Sequence, residues 1–503
     1  MNTYNAIIEP ASLSHKVYRA DEVRRHEPGA ASAAGLSMYE LMERAGHAAF
    51  RQLLASFAPC KRILVLCGHG NNGGDGFVLA RLAREAGLEV TLIAVGDHHK
   101  YSADTRQAEQ KWRASGTDPE TWPVSLVGYD VIVDALLGNG IKGEVRAPYE
   151  DVIGALNQQP TPVLSIDLPS GMNADTGSPC GVAVNATATI TFVGIKAGLV
   201  TGKGKQHSGR LHFSALGIAE AFDRLATPVA LRVRGSELSP FPPRHCDSHK
   251  GDHGHLLCIG GNQGMSGAIR LTADAALRSG AGLVKVLCHP DSHALVASGR
   301  PELMVSADTE KLGALLEWAS CIVVGPGLGL DKWAESLFNH VLKFQQQASK
   351  SILIDADGLT LLARKKNVSL SENTVLTPHS GEAARLTDMT NGQIQADRYA
   401  AASELVNRYQ CTIVLKGAGT LIESTRQCYV LEDGNPGMAS GGMGDLLSGL
   451  IGGLMAQGTN AENAALAGAC VHGRAGDLCA EKNGQRGMIA SDLLPYIRQL
   501  VNC

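Results

Sequence analysis

The sequence predicts an α/β chain of two domains, each built on a parallel sheet. Three observations carry that expectation. At 503 residues the chain is too long for one ordinary hydrophobic core. Short apolar runs alternate with helical patterns through both halves, as they do in βαβ units. Many of those runs end in glycine, aspartate or histidine, and open parallel sheets receive their ligands at the carboxyl ends of strands.

The elements follow in order. SMYELMERAGHAAFRQLLASF (37–57) opens with Ser37 and Glu40, a capping-box pair, and continues with helical periodicity. KRILVLCG (61–68) reads as a buried strand, FVLARLAREAG (77–87) as a helix closed by glycine, and LEVTLIAVG (88–96) as the next strand. This βαβ unit makes its two strands parallel. YDVIVDALLG (129–138), TPVLSIDLPSG (161–171) and ATITFVG (188–194) supply further strands. ELSPFPPRHCDSHKGDHG (237–254) carries three prolines and no periodicity, and reads as the lead-in loop of the second half. The boundary lies slightly upstream, giving domains of 1–228 and 229–503. The second half continues with HLLCIGG (255–261), a helix through AIRLTADAALRSG (268–280), and LVKVLC (283–288). CIVVGPG (321–327), SILIDADG (351–358), NTVLTPH (373–379) and CTIVLKG (411–417) are its remaining strand-like runs.

Composition narrows the function. With 19% charged and 44% apolar residues the chain is folded rather than disordered. A formal net charge of −4 gives no reason to expect nucleic acid or an anionic membrane as partner. The longest apolar stretch, 446–456, is broken by glycine and too short to span a bilayer. The N-terminus lacks the basic-then-apolar order of a signal peptide, and the twelve cysteines are scattered, so a reduced, cytoplasmic chain is expected. HCDSHKGDHGH (245–255) gathers four histidines and a cysteine, but its spacings fit no zinc pattern.

HGNNGGDG (69–76) joins a strand to a helix, where a dinucleotide fingerprint would lie, without the GxGxxG spacing. Such a loop can wrap phosphates at a helix N-terminus or merely form a tight turn. Asp134 and Asp167 end two further strands, and three such ends around one crevice point to a small-molecule site. NNGGDG (71–76), DALLGNG (134–140) and DLPSG (167–171), in this order, resemble the epimerase domain of the NAD(P)H-hydrate repair enzymes. That resemblance implies a Rossmann-like three-layer αβα sandwich. It implies that Asn71, Asn72, Gly73, Gly74 and Asp75 hold the hydrated dinucleotide. The loop Gly138, Asn139, Gly140, Ile141, Lys142, Gly143 and Glu144 would hold it from the other side. It makes Asp167 the acid/base at the reacting ring. It also implies a potassium ion on Asn72, Asp134 and Ser170, and oxygen donors suit such a hard cation.

GMASGGMGD (437–445) sets four glycines and an aspartate at a helix start. Converging backbone N–H groups form an anion hole, and a carboxylate beside it suits removal of a proton from an attacking hydroxyl. The GLIGGLMA that follows reads as a glycine-rich helix–helix contact. HKGDHG (249–254), GPGLG (325–329), TPHSGEAARL (377–386), LKGAGT (415–420) and GNPGMASGGMGD (434–445) resemble the ADP-dependent dehydratase domain of the same repair system. The implied fold is ribokinase-like α/β, with Asp445 as base. Ala268, Gly327, His379 and Asp445 would contact the S-epimer of the hydrate, and Lys416, Gly417, Ala418, Gly419, Thr420 and Gly444 the nucleotide.

Together the two resemblances imply repair of NADHX and NADPHX, the hydrated forms of NADH and NADPH. Both epimers would be interconverted and the S-epimer dehydrated at the expense of ADP, with AMP and phosphate released. Potassium, Mg²⁺ and ADP as co-substrate are implied, as is a homo-oligomer. Two rival readings share parts of the pattern: a ribokinase-like small-molecule kinase fused to a nucleotide-binding domain, and a nucleotide sensor. The carboxylates Asp167 and Asp445 oppose the sensor, because a pure phosphate binder gains nothing from an acid beside the anion.

Overall fold

A computed structural model describes residues 13–502 except 142, 349, 366 and 367. The chain divides into two compact units between Leu231 and Arg232. In the first, helices α1 (Ala20–Ala33) and α2 (Met38–Phe57) precede β1 (Arg62–Cys67) and α3 (Asn71–Glu85). Then come β2 (Glu89–Ala94), α4 (Ala103–Ala114), β3 (Glu120–Thr121), β4 (Val131–Ala135), β5 (Val163–Ile166), β6 (Ala188–Phe192) and β7 (Arg210–Ser214). The sheet order is β3-β2-β1-β4-β5-β6-β7, parallel throughout. Alternate residues of β1 feed two separate apolar clusters, Ile63 and Val65 one and Leu64 and Leu66 the other. The sheet is therefore covered on both faces, which is the three-layer sandwich expected. The order reverses between β1 and β4, so the crevice for a ligand opens past their carboxyl ends.

Local signals explain most boundaries. Ser37 accepts from the Glu40 N–H at 3.2 Å while the Glu40 carboxylate accepts from the Ser37 N–H at 2.8 Å, closing the capping box that starts α2. One boundary differs from expectation. Helix α3 begins at Asn71, not Phe77, so NNGGD forms its first turns rather than a loop. Packing overrides the poor helix propensity of these residues. A Cβ on Gly73 would lie 2.0 Å from the Gly68 carbonyl oxygen, and one on Gly74 2.5 Å from the Met42 methyl. The glycines let α3 sit directly on the strand end.

The second unit continues with β8 (His255–Ile259), α5 (Ser266–Arg278), β9 (Leu283–Leu287), β10 (Met304–Ser306), β11 (Cys321–Val324), β12 (Ser351–Ile354) and β13 (Thr374–Leu376). After α6 (Ser380–Thr387) come β14 (Thr412–Leu415), β15 (Leu421–Glu423), β16 (Cys428–Leu431), α7 (Met443–Ala456) and α8 (Ala461–Asn483). Strands run β10-β9-β8-β11-β12-β13-β14-β15-β16, parallel as far as β14 and antiparallel over the last two pairings. The order reverses between β8 and β11, again placing a crevice at strand carboxyl ends.

Helix α7 packs against α5, α8 and the sheet. Its glycines are contact positions, as the GLIGGLMA pattern suggests. A Cβ on Gly449 would stand 1.9 Å from the Thr272 carbonyl oxygen of α5. Gly449→Val therefore forces the two helices apart, and a loss of about 1–3 kcal/mol is expected from overpacking. Urea unfolding of the full chain checks this, with the change confined to the transition of the second unit.

Candidate active sites

In the first unit a cavity of about 420 Å³ opens at the carboxyl ends of the strands. His69, Asn71, Asn72 and Asp75 line it from the end of β1 and the start of α3, and Leu136 to Ile141 from the loop after β4. Asp167 follows β5, Lys196 follows β6, and Glu27 comes from α1. Asp167 has a left-handed backbone, φ 65°, which aspartate tolerates better than most residues. Its carboxylate pairs with the buried Lys196 ammonium and accepts from the Thr191 hydroxyl at 3.2 Å. Lys196 also donates to the Phe192 carbonyl at 2.9 Å and to Thr191 at 3.2 Å. Its backbone is held by parallel pairing of Ile195–Lys196 with Lys16–Tyr18.

One ammonium thus stands among three carboxylates. Burial raises the Asp75 carboxyl well above the usual range, and the charges of Asp167 and Glu27 add to this. Burial also raises Glu27, partly countered by Lys196. Beneath the cavity Asp134 is fully buried; it accepts from the Ser165 hydroxyl at 2.7 Å and the Ser170 N–H at 2.9 Å. The Ser170 hydroxyl donates to the same carboxylate and to the Leu137 carbonyl, the latter at 3.2 Å. Both amide atoms of the buried Asn72 are without a hydrogen-bond partner among the described residues. An unsatisfied buried amide of this kind is costly unless something else ligates it.

The expected binding residues do not all reach the cavity. Asn71, Asn72, Asp75, Gly138, Asn139, Gly140, Ile141 and Asp167 line it. Gly73 and Gly74 lie against Gly68 and Met42 instead, serving packing. Gly143 and Glu144 continue the loop beyond the lining residues, and Lys142 lies outside the described residues.

In the second unit the strand ends again converge. Lys416, after β14, donates to Asp355 after β12 at 2.9 Å and stands 3.8 Å from Glu382 of α6. Asp355 also accepts from the Ser448 hydroxyl of α7 at 2.7 Å. Gly444, in the first turn of α7, leaves room for this cluster, since a Cβ there would lie 3.2 Å from the Lys416 ammonium. Burial opposes the charge on Lys416, yet Asp355 and Glu382 outweigh it and hold the ammonium above the usual lysine range. Burial, reinforced by Asp355, pushes Asp445 up to about 6 against the pull of Lys416.

His379 caps α6. Its Nδ1 accepts from the Gly381 N–H at 3.0 Å, while the Glu382 carboxylate accepts from the His379 N–H at 2.8 Å. Ala268, in the first turn of α5, adjoins Gly327, where a Cβ would meet that of Ala268 at 3.1 Å. Gly417 to Thr420 form a tight turn in which the Thr420 hydroxyl donates to the Gly417 carbonyl at 2.9 Å. The buried Arg398 supports that turn through the Leu415 carbonyl at 3.0 Å.

Sequence reasoning missed Glu27, Lys196, Asp355, Glu382 and His472. Asp355 ends an apolar strand, the same signal that singled out Asp134 and Asp167. Lys196 is the one charge in the apolar run TFVGIKAGLV (191–200), a signal for a buried cation. Burial and the nearby Lys416 push the His472 imidazole down to about 4, and its Nε2 has no partner among the described residues. Glu27 has no local signal, since a polar residue on an amphipathic helix is ordinary.

Fold and sites together define a chain of two α/β enzyme domains, each with a lysine among carboxylates past the carboxyl ends of its strands. Comparison with known proteins names the class. A family model described as NAD(P)H-hydrate dehydratase matches residues 256–499, and one described as YjeF-related protein N-terminus matches 38–198. The bifunctional NAD(P)H-hydrate repair enzyme of Escherichia coli K12 is 44% identical over 98% of this chain and 95% of its own length. That of Coxiella burnetii is 46% identical over 97% and 99%. A solved ADP/ATP-dependent NAD(P)H-hydrate dehydratase from Bacillus subtilis is 29% identical, with TM-score 0.48, over 52% of this chain and 93% of that one. The chain belongs to the family of bifunctional NAD(P)H-hydrate repair enzymes.

The geometry of the first site yields a stability prediction. Lys196→Met leaves Asp167, Asp75 and Glu27 without their cation, and losing one partner of a buried pair costs about 3–5 kcal/mol. Hydrogen exchange of the β5 and β6 amides is expected to accelerate accordingly at neutral pH.

Proposed function

We propose that the chain repairs hydrated nicotinamide cofactors at two sites, by interconverting the epimers of NADHX and NADPHX in the first unit and dehydrating the S-epimer with ADP in the second. The observation that carries the reading is the recurrence of one arrangement: a lysine among surplus carboxylates past the carboxyl ends of the strands in each unit. The first cavity presents acids to a small ring. The second adds the glycine turn before α7 and the N–H groups of its first turn, which suit a phosphate.

In the second site Asp445, held near neutrality in its titration, takes the proton of the C6 hydroxyl as that oxygen attacks the terminal phosphorus of ADP. The bond to AMP breaks and a phosphate ester forms. The ester then leaves as phosphate while C5 loses a proton, restoring the dihydropyridine double bond. Lys416 and Gly444 hold the phosphates, Gly417 to Thr420 the rest of the nucleotide, and Ala268, Gly327 and His379 the hydrate. Mg²⁺ would arrive with the nucleotide and neutralise charge on its phosphates.

In the first site Asp167 acts as acid/base, with Asn71, Asn72, Asp75 and the loop from Gly138 around the dinucleotide. Potassium would sit on Asn72, Asp134 and Ser170. The chemistry of the donors fits: an amide oxygen, a carboxylate and a hydroxyl are hard ligands, and the Asn72 amide has no hydrogen-bond partner among the described residues. We extend the reading to a cytoplasmic homo-oligomer; the free cysteines accord with a reducing compartment.

Three measurements test this. With both epimers of hydrated NADH, Mg²⁺, K⁺ and ADP, wild type is expected to restore nearly all nicotinamide absorbance. Asp445→Ala would restore none, and Asp167→Ala would stall after one epimer apart from spontaneous exchange. No recovery by wild type with ADP or ATP would sink the assignment in favour of a kinase. The second measurement follows from the raised Asp445. A base must be deprotonated, so kcat/KM of dehydration is expected to fall as pH drops through about 6. Replacing K⁺ with tetramethylammonium, the third, is expected to slow epimerisation and leave dehydration unchanged.

A further inference from the structure

Inverting C6 of the hydrate through loss and return of water takes a hydroxyl from one face of the ring and brings water to the other. One carboxyl group cannot serve both faces without moving across the ring. The cavity offers a second. Glu27 reaches it from α1, whereas Asp167 reaches it from the carboxyl end of β5, so the two acids stand on walls built by different elements. Asp167 is engaged by Lys196 and Thr191. Glu27 makes no hydrogen bond or ion pair among the described residues. A half-buried carboxyl left unpaired at a cavity wall has no structural task that accounts for it.

We propose that Glu27 is a second catalytic carboxylate of the first site, moving the proton on the ring face opposite to that served by Asp167. The inference rests on the epimerase reading given above. In one direction the neutral Glu27 carboxyl donates its proton to the C6 hydroxyl. The C6–O bond breaks, water departs, and the ring nitrogen lone pair forms the iminium. Water then adds to the opposite face of C6, the C=N pair returns to nitrogen, and Asp167 accepts the proton released by that water. The reverse direction exchanges the two roles, so nothing is consumed.

The charges around Glu27 support the assignment. Arg24 of α1, His69 and Asp75 at the start of α3, Asp104 of α4, and Asp167 with Lys196 all line the same cavity. Arg24 is turned to Asp21, leaving Lys196 as the cation among Glu27, Asp75 and Asp167. A single ammonium does not balance three carboxylates in so confined a space. Burial raises both Glu27 and Asp75, which favours the protonated form of each.

The experiment uses the full chain without nucleotide, so that dehydration is silent, and separated R- and S-hydrates of NADH. Interconversion is followed by chromatography in water enriched in ¹⁸O. Wild type is expected to introduce one solvent oxygen at C6 per inversion. Glu27→Gln is expected to lose about 10²-fold or more in kcat with KM little changed, and to lose one limb of the pH–rate profile. Glu27→Asp is expected to recover part of the rate. Hydrogen exchange of the β5 and β6 amides at the wild-type rate reports that the first unit of each variant is folded. Retention of the original oxygen during inversion would overturn the proposal by pointing to ring opening. So would a Glu27→Gln enzyme with an unaltered profile, or loss of that limb in Asp75→Asn instead. Failure of wild type itself to interconvert the hydrates would instead refute the epimerase reading on which the proposal stands.

Discussion

A lysine ringed by more carboxylates than it can neutralise is the constraint on which both halves of this chain depend. Lys196 faces Asp167, Asp75 and Glu27; Lys416 faces Asp355, Glu382 and Asp445. Burying either ammonium alone would be prohibitive, and burying the acids alone would neutralise them. In each cluster two acids gain affinity for their protons, Glu27 and Asp75 in the first and Glu382 and Asp445 in the second. In the second site Asp355 binds Lys416 and Ser448 while Asp445 is free to titrate near 6.

The sheets make these clusters affordable by delivering each residue on a rigid element. Lys196 is carried by the end of β6 and its short pairing with Lys16–Tyr18, and Asp167 by a left-handed turn after β5. The Asp167 backbone costs on the order of 1 kcal/mol, offset by the fixed ion pair it creates. In the second unit Gly444 places the start of α7 against the Lys416 ammonium. A side chain there would press on that ammonium.

The strand ends were legible because a buried parallel strand is an uninterrupted apolar run, and the first polar residue after it marks the crevice. Asp134, Asp167, His379 and Lys416 were all found this way. Glu27 could not be: it lies 140 positions before Asp167 in the sequence (167 minus 27), on a helix whose local pattern is that of any solvated face. Lys196 was overlooked because the strand reading stopped at Gly194, two residues before it. The misplaced start of α3 has a different origin. Asparagine and glycine disfavour helix locally, and only the close fit of Gly73 and Gly74 against Gly68 and Met42 makes helix the better solution.

The contrast between the two sites follows from the energetics of the two reactions. Interconverting epimers at one carbon changes little in free energy, so the first site needs only to move protons and hold the ring. A cavity lined by acids and one lysine is sufficient, and a glycine-lined phosphate cradle for a second nucleotide would add nothing there. Dehydration must expel an oxygen that leaves poorly as hydroxide, so the second site invests in phosphate. On the proposed reading the glycine turn, the open start of α7 and Lys416 would stabilise charge on a phosphoryl group, and Asp445 would make the hydroxyl a nucleophile. The same lysine-and-carboxylate arrangement thus serves two purposes, and what differs between the sites is the backbone placed beside it.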